Sequence, residues 1–334
     1  MASFEKLFDQ LQSPSSSSVH DAESLTACAV PGWPNYRIVR DMNGAPGLLV
    51  ALPKPPTERD TGVELKNLSF RPDVRCVVHG EDAQLIDGRF ALVRCKAPER
   101  DLGRLFLSVI EGWLPELGRQ PDQHELAEAV DRLVELFAAL SKPGRMTVQG
   151  VWTELWLMVA SSDPASLVKA WHSDPDELHD FVGGLQRLEV KSTSGPLRQH
   201  HFSLDQLQPP ARSKLLVASV FVEEERSGAS VADLLEQLRG RLAEHPELVS
   251  RAQEIVAIGL GREWREAAEV RFNIARAASS LSFFAGEEIP RVDPTLPPEV
   301  SEVRFQVDLS GLDSVTTNIV RDLGGIFASA LPIS

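Results

Sequence analysis

The chain is poor in cysteine, with only Cys28, Cys76 and Cys95 among its 334 residues. The three are scattered, odd in number and form no CxxC pair. The sequence therefore supports neither a disulfide framework nor a thiolate zinc site. We expect all three to be reduced and partly buried.

Long hydrophobic runs are also missing. No segment approaches the roughly 18 consecutive apolar residues that a membrane-spanning helix needs. The first residues, MASFEKLFDQLQ, carry acidic side chains where a signal peptide would carry a basic region. Since 43% of the residues are hydrophobic, the chain can bury a substantial core. We expect a soluble cytoplasmic protein of two domains or one elaborated domain, with no membrane partner.

Net positive charge is the third absence, because the formal charge is −14. A chain covered in nucleic-acid-binding surface would carry clustered Lys and Arg, so any contact with DNA must be local. The segment from Phe181 to Val222 meets that condition, with five cations against two acids and a net charge of +3. Its charged residues are Arg187, Lys191, Arg198, Arg212 and Lys214, against Glu189 and Asp205.

The pattern of the first 143 residues predicts a short helix, a linker and a β-rich domain. An amphipathic helix at residues 4–11 precedes the tract SPSSSS, and we assign residues 1–19 to this helix and flexible connector. Short segments rich in Val and Leu follow up to about Ala97, which is typical of strands. From Asp101 the apolar residues recur at helical spacing. Residues 20–143 are therefore predicted to form a β-rich domain with connecting helices.

Lys142-Pro143-Gly144 separates that region from a second predicted domain, residues 144–334. Its segments VQGVWTELWLMVASS and ELVSRAQEIVAIGL have helical patterns, LLVASVFVEE reads as a buried strand, and Ser230 is a candidate helix cap. The segments AEVRFNIA and SEVRFQVDLS are possible strands of a C-terminal α/β extension.

The segment DELHDFVGGLQRLEVKSTSG predicts a hairpin, because paired glycines readily adopt the positive φ angles of a tight turn. With Gly183-Gly184 as a two-residue turn, Asp180 faces Arg187. Side chains alternate along a strand, so Asp180, Glu189 and Lys191 should share one side with Arg187. The apolar residues of the hairpin, Phe181, Leu188 and Val190, should project from the other side.

In that register Asp180 and Glu189 are diagonal neighbours, about 7 to 8 Å apart at Cα. Both carboxylates could then reach one hard cation such as Mg²⁺. Two carboxylates held together without compensating charge repel each other, so the arrangement indicates a bound cation or a shared proton. The ammonium of Lys191 could orient a water and stabilise charge on a phosphate.

Glu154 adds an independent signal, because it is the only charged residue in the apolar helix VWTELWLMVA. A buried carboxylate needs a cation, a hydrogen-bond donor or a functional site, since burial without a partner is costly. Trp152 and Trp156 of the same helix are expected in the core. An ExK triplet alone is common on solvated faces, but the hairpin, Glu154 and the local positive charge together favour a site.

Asp180, Glu189-Val190-Lys191 and the upstream Glu154 resemble the PD-(D/E)XK nuclease superfamily. More narrowly, GVWTELWLM, HDFVGG, LEVKSTSG, RQHHFSLDQL and LLVASVFVEE resemble a bacterial PD-(D/E)XK family encoded beside methyltransferases and ATPases in restriction-type defence loci. The match extends over roughly 75 residues, which makes it far more specific than the short motif. One departure is His179, which occupies the position of the proline before the motif aspartate.

The resemblance implies an α/β (α+β) fold, with a restriction-endonuclease-like core of a central mixed sheet flanked by helices, beside the β-rich N-terminal domain. It also implies cleavage of phosphodiester bonds with Mg²⁺, for which Mn²⁺ is a possible substitute. Asp180, Glu189 and Glu154 would be metal ligands and Lys191 would serve the attacking water. Gln206 matches a polar position that supports the active site in related nucleases.

Several residues are candidates for contacts with DNA. Arg and hydroxyl groups commonly bind backbone phosphate, although solvated loop positions are almost as common a reading. Of the adjacent His200 and His201, one should be buried and one exposed, and the sequence does not decide between them. The candidates are Arg187, Ser192, Thr193, Arg198 and His200.

The leading hypothesis is a Mg²⁺-dependent endodeoxyribonuclease, the cutting subunit of a bacterial restriction or phage-defence system. Its expected partners are DNA and proteins from a defence locus, such as a methyltransferase or an ATPase, and a homodimer is possible. One alternative is a non-catalytic DNA-binding or scaffold subunit. Another is a nuclease that acts on RNA or branched DNA.

Overall fold

The computed structural model of the protein describes residues 3–14, 23–53, 62–79, 85–172, 177–292, 297 and 299–333. The chain divides into two compact units. The first contains Met1–Ser141 with Val249–Glu254, and the second contains Lys142–Leu248 with Ile255–Ser334. The division into residues 1–19, 20–143 and 144–334 as independently folding domains stays a prediction. Most of the predicted serine-rich linker lies outside the described residues.

The first unit contains three helices and six strands among its described residues. Helix α1 begins after Ser3, whose hydroxyl accepts from the backbone N–H of Lys6, and α3 is capped by Asp122 in the same way at His124. The elements are α1 (Phe4–Gln10), β1 (Glu23–Val30), β2 (Trp33–Asp41), β3 (Pro46–Val50), β4 (Val63–Glu64), β5 (Leu68–His79), β6 (Leu85–Cys95), α2 (Arg100–Leu117) and α3 (Gln123–Ala139).

Strands β1 to β6 form one sheet in the order β1-β2-β3-β6-β5-β4. Strand β1 also pairs in parallel with β5, so five of the strands close on themselves and leave few open edges. Burial partly alternates along β2, as expected for a strand with one face towards a core. One apolar cluster of this unit consists of Leu25, Ala27, Val39, Leu49, Val74, Phe90 and Leu92.

The second unit holds the hairpin predicted from the sequence. Its elements, with helix α7 shared between the units, are α4 (Val148–Ala160), α5 (Pro164–Ala170), β7 (Phe181–Gly183), β8 (Gln186–Thr193), β9 (Gln199–Ser203), β10 (Lys214–Phe221), β11 (Glu224–Ser230), α6 (Val231–Arg241), α7 (Pro246–Leu260), β12 (Arg271–Phe272), α8 (Ile274–Ser280), β13 (Ser282–Ala285), β14 (Arg304–Asp308), α9 (Thr317–Leu323) and α10 (Gly325–Ser329). Short 3₁₀ helices occupy Asp205–Leu207, Arg262–Trp264, Glu266–Ala268 and Gly286–Glu288.

A mixed four-stranded sheet positions the candidate residues. Its order is β13-β10-β8-β7, with β8 parallel to β10 and both outer strands antiparallel to their neighbours. Smaller two-stranded sheets pair β9 with β14 and β11 with β12. The described chain is therefore a mixed α/β protein with several sheets and ten α-helices.

Helix α4 is capped by Thr147, whose hydroxyl accepts from the backbone N–H of Gly150 at 3.1 Å. The expectation that Trp152 and Trp156 belong to the core is confirmed, because both are buried and their rings stack with centroids 6.4 Å apart. The indole N–H of Trp152 donates to the carbonyl of Ala229 at 2.7 Å. This bond ties α4 to the start of α6.

Two expectations about local structure need comment. The segment AEVRFNIA is strand only at Arg271–Phe272, because Asn273 accepts from the N–H of Arg276 and starts α8. Cys28 and Cys95 are free thiols, as expected, but they are fully rather than partly buried, and the side chain of Cys76 lies outside what the structure describes. Among the helices described, none has the length and apolar character needed to cross a membrane.

Candidate active site

The β7–β8 hairpin forms, but its turn differs from the predicted one. Phe181 pairs with Leu188 and Gly183 pairs with Gln186, so the turn residues are Gly184 and Leu185. The predicted turn of Gly183-Gly184 is wrong by one position, and the register is shifted by two residues. Only Gly184 of the two turn residues has a positive φ, +58°, which is the pattern of a turn with glycine at its first central position.

Gly183 is a strand residue that packs closely against Ile326, a residue distant from it in the sequence. A Cβ added at this position would lie 2.6 Å from Cγ2 of Ile326 in α10. The absence of a side chain therefore lets α10 approach the strand. One glycine of the pair serves the turn and the other serves packing.

The shift of two residues leaves the predicted faces unchanged, because side chains alternate with a period of two. Continuing the register by one residue places Asp180 directly opposite Glu189 rather than diagonally across from it. The backbone N–H of Val190 donates to Oδ2 of Asp180 at 2.7 Å. This bond fixes the Asp180 carboxylate against the strand that carries Glu189 and Lys191.

Glu189 is only 2% exposed, and its two carboxylate oxygens have different surroundings. Oε1 lies 2.6 Å from Nζ of Lys191 and accepts from Nε2 of Gln206 at 2.8 Å. Oε2 is buried and has no hydrogen-bond partner among the described residues. A buried carboxylate oxygen without a donor is costly, so this atom marks a place for a proton, a water or a cation.

Lys191 remains charged in this environment. Burial lowers the pKa of Lys191, but the charges of Glu189, Asp180 and Glu154, together with the hydrogen bond to Glu189, outweigh burial and raise it overall. Its ammonium also lies 5.1 Å from the ring centroid of Phe202. The side chain is thus held in place by an acid and by an aromatic face.

Glu154 is 5% exposed, and Nε1 of Trp171 donates to its Oε2 at 2.6 Å. Burial raises the pKa of Glu154 to about 8, and the nearby charge of Glu189 adds to this effect. The expectation that a buried Glu154 needs a donor is met by Trp171, which sequence reasoning did not identify. An aromatic N–H carries no periodic signal that would have linked it to Glu154.

The three acids influence one another. Burial raises the pKa of Asp180 well above its usual value, and the charges of Glu189 and Glu154 raise it further. Like-charged carboxyls that perturb each other in this way are typical of functional sites.

The predicted ligand set of Asp180, Glu189 and Glu154 stays a prediction. No group of three or more His, Cys, Asp or Glu side chains within the described ranges is arranged to hold a metal ion. Gln149 of α4 donates to Ser192, which projects from the face of β8 opposite to Glu189 and Lys191. The bond ties the start of α4 to β8, and Glu154 interacts with Glu189 and Lys191 through their charges.

Asp180 and Glu189 still fit a divalent cation as a pair of ligands. Hard cations such as Mg²⁺ take carboxylate oxygens and keep several waters, so two carboxylates are sufficient protein ligands. The unpartnered Oε2 of Glu189 supplies a free acceptor. Burial first, and then the charges of Glu189 and Glu154, raise the pKa of Asp180, and a bound cation would offset both effects.

Gln206, which the sequence suggested as a supporting residue, is a bridge in the structure. Its amide donates to Glu189 and to the carbonyl of Leu178, while its Oε1 accepts from the N–H of Ser203 at 3.0 Å. The buried His179, absent from the predicted site, bonds the carbonyl of Gln206 at 2.9 Å. The residue where the superfamily motif has proline therefore ties the 3₁₀ helix Asp205–Leu207 to Asp180.

Three of the predicted DNA contacts lie along β8. Arg187 donates to the carbonyls of Gly184 and Gln186, so it holds the hairpin turn. Ser192 accepts from Gln149 at 3.0 Å, and Thr193 accepts from the N–H of Gly195 at 3.1 Å. All three side chains are partly exposed.

The other two predicted contacts are engaged inside the protein. Arg198 donates to Ser219, Ser280 and Ser282. His200 is buried against Ser219 Oγ at 2.8 Å, and burial lowers its pKa to about 4, whereas His201 is exposed. The selection of His200 for a surface contact therefore does not match its position.

The family comparison agrees with the resemblance seen in the sequence. Residues 4–310 match the model of a family described as "Putative PD-(D/E)XK family member, (DUF4420)". Neither the curated proteins nor the solved structures gave a match. Since the family model covers nearly the whole chain, the chain belongs to this family.

Proposed function

We propose, from this family membership, that the chain is a Mg²⁺-dependent endonuclease that hydrolyses DNA phosphodiester bonds, with Mn²⁺ as a substitute ion. We further propose that it is the nuclease subunit of a bacterial restriction or phage-defence system. The observation that carries the proposal is the constellation on one face of the hairpin. It combines paired Asp180 and Glu189, a charged Lys191, and a buried Glu189 oxygen without a donor.

The fold around the site supports this proposal. A buried helix, α4, carries an acid and precedes a hairpin whose second strand carries Glu189 and Lys191. That strand pairs in parallel with β10 inside a mixed sheet with helices packed against it. We propose that this is the PD-(D/E)XK core of the chain.

Asp180 and Glu189 would hold the cation. A divalent cation between them would stabilise charge on the scissile phosphate and make a bound water more acidic. Gln206 and Lys191 both bind Oε1 of Glu189, so they leave Oε2 as the ligand atom. The N–H of Val190 fixes Asp180 in turn, so both ligands are oriented before a cation arrives.

Lys191 acts as a fixed positive charge. Lys191 is ion-paired with Glu189 rather than free to accept a proton, and its pKa is raised in the metal-free chain. Its ammonium instead orients the attacking water and stabilises negative charge on the phosphate oxygens. Glu154 is an accessory acid, since a carboxyl with a pKa of about 8 can hold a proton at neutral pH.

Recognition of sequence or methylation is proposed for residues 20–143 or for partner proteins, such as a methyltransferase or an ATPase. A second candidate function is DNA binding without cleavage, as a scaffold subunit. The exposed and partly exposed basic residues along the segment from Phe181 to Val222 could serve such binding without cleavage.

Incubation of the purified protein with methylated and unmethylated duplex DNA, in Mg²⁺, Mn²⁺ or EDTA, tests the proposal. We expect products with Mg²⁺ or Mn²⁺, none with EDTA, and none from the Glu189→Gln variant. Duplex DNA that is bound but never cut, with every cation and with the products of neighbouring genes added, would favour the scaffold function. Selective cleavage of an RNA or a branched DNA substrate would replace the proposed substrate.

A further inference from the structure

The ring of Phe221, at the end of β10, is in contact with the guanidinium groups of two arginines. Cζ of Arg198 lies 4.7 Å from its ring centroid, and Cζ of Arg276 lies 5.1 Å from the same centroid. Arg198 also lies 5.9 Å from the centroid of Phe284. A single aromatic side chain therefore holds two cations close together.

The two arginines differ in how they are bound. Arg198 donates to Ser219, Ser280 and Ser282, so its guanidinium is fixed by the protein. Arg276 is exposed on α8, and its guanidinium makes no hydrogen bond or ion pair with any residue that the structure describes. Its ring contact orients it while its N–H donors face solvent.

The cations lie on the same face of the sheet as the candidate site. Ser219 pairs with Lys191 and Phe221 pairs with Thr193 in the parallel register of β10 and β8. Side chains paired in this way project from one face. The Cα atoms of Phe221 and Lys191 are therefore about 8 Å apart, since neighbouring strands are about 4.8 Å apart and two residues advance about 6.6 Å.

Neither arginine forms an ion pair with an acid within the described part of the chain. The acidic run Glu223–Glu225 begins two residues after Phe221, yet none of its carboxylates forms an ion pair with Arg198 or Arg276. Burial lowers the pKa of Arg198, and the charge of Arg276 lowers it further. Two guanidinium groups held close together repel each other, so a bound anion would stabilise the pair.

We propose that Arg276, oriented on Phe221 and backed by Arg198, binds a backbone phosphate of the DNA that enters the site. This inference rests on the proposed nuclease function. It names a residue that would bind the substrate on the face of the sheet that carries Lys191. Arg276 is the phosphate ligand. Arg198 is a positioning residue that holds Phe221 and supplies a second, partly buried positive charge.

The test is DNA binding measured by fluorescence anisotropy in Ca²⁺, a cation chosen to allow binding to be followed apart from cleavage. The full-length parent, Arg276→Ala and Arg276→Lys are titrated over a range of salt concentrations. We expect Arg276→Ala to weaken binding roughly tenfold and to reduce the slope of log K against log salt by about one, as for the loss of one phosphate contact. Arg276→Lys should keep the slope and lose part of the affinity, because it keeps the charge without the planar guanidinium.

Arg321→Ala is the matched control. Arg321 is an exposed arginine of α9, and α9 ends beside Gln186 at the opposite end of β8. Its removal should leave affinity and salt slope unchanged. The substitution Arg276→Ala keeps the backbone bond to Asn273 that starts α8, and equal melting temperatures will verify the fold.

The outcomes separate this inference from the proposed function. If the parent binds DNA and Arg276→Ala binds it with the same affinity and slope, the phosphate site is wrong while the nuclease proposal stands. If the parent neither binds nor cuts DNA with any cation, both fail. An equal loss of affinity in Arg276→Ala and Arg321→Ala would show a diffuse charge effect and would overturn the specific site.

Discussion

Each of the two units buries a carboxylate on a β-strand, and the two carboxylates use their oxygens differently. In the first unit, Oδ1 of Asp41 accepts from the N–H groups of Asn43 and Ala45, and Oδ2 lies 3.7 Å from a guanidinium nitrogen of Arg94. In the second unit, Glu189 has two cationic or polar partners on Oε1 and none on Oε2. Both carboxylate oxygens of Asp41 therefore have partners, whereas Oε2 of Glu189 has none among the described residues.

The surroundings extend this contrast. Asp41 ends a strand within a sheet whose core is apolar, and its partners are backbone groups and one arginine. Glu189 has two further acids close enough to perturb each other's pKa values. A buried acid that stabilises a fold is surrounded by donors, while one that serves a cation site is surrounded by other acids.

The largest expected effect comes from the isosteric change Glu189→Gln. A neutral amide is a weaker ligand for a hard cation, so cleavage should fall on the order of 10³-fold or more. Asp180→Asn should behave in the same way. Rates of plasmid cleavage in Mg²⁺ measure the effect.

Asp41→Asn is the matched change in the first unit. It keeps an oxygen for the turn but loses the ion pair with the largely buried Arg94, so it should cost about 3 kcal/mol of unfolding free energy and leave cleavage unchanged. Comparable loss of cleavage in Asp41→Asn and Glu189→Gln would remove the distinction between the two acids.

Lys191→Ala should reduce cleavage by about 10²- to 10³-fold, the usual effect of removing one contact to developing charge. Because Asp180 and Glu189 stay in place, Mn²⁺ binding should persist and become slightly tighter. Single-turnover cleavage and calorimetry with Mn²⁺ distinguish the two roles. Cleavage at the parent rate would contradict the role of Lys191.

The last effect leaves cleavage aside and concerns pH and stability. The pKa of Glu154 is raised from 4.5 to about 8 in the folded chain, so between these values the folded state binds more protons than the unfolded state. Its contribution to stability therefore falls as pH rises from about 4.5 to 8, by at most about 1.4 kcal/mol per pH unit.

Glu154→Gln isolates this contribution, because the amide oxygen can still accept from Trp171. Without metal, the variant should melt higher than the parent at pH 8, and the difference should shrink towards pH 5. Calorimetry in EDTA over this range measures it. A constant difference in melting temperature across the range would argue against the raised pKa.

Local patterns allowed much of this structure to be anticipated. The apolar spacing of α2 and α3 marked both helices closely, and the period of two along β8 gave the shared face of Glu189 and Lys191. Ser230 was a candidate helix cap in the sequence, and the structure confirms that it caps α6. Each of these features depends on residues close to one another in the chain.

The features that escaped prediction depend on distant contacts. Gly183 was assigned to the turn because nothing near it indicates Ile326, whose side chain occupies the space of its missing Cβ. Trp171 as the donor to Glu154, and the serines that bind Arg198, are likewise separated in sequence from their partners. The predicted register was wrong by two residues, which is one full period of side-chain alternation along a strand. The predicted site residues therefore still share a face.

Calorimetric titration of Mn²⁺ into the parent, Glu189→Gln and Asp41→Asn tests the central claim most directly, since it asks which buried carboxylate holds a cation. We predict binding to the parent and to Asp41→Asn with similar affinity, and loss of that binding in Glu189→Gln. Binding to Glu189→Gln with the affinity of the parent, or no binding to the parent, would contradict the assignment of Glu189 as a metal ligand.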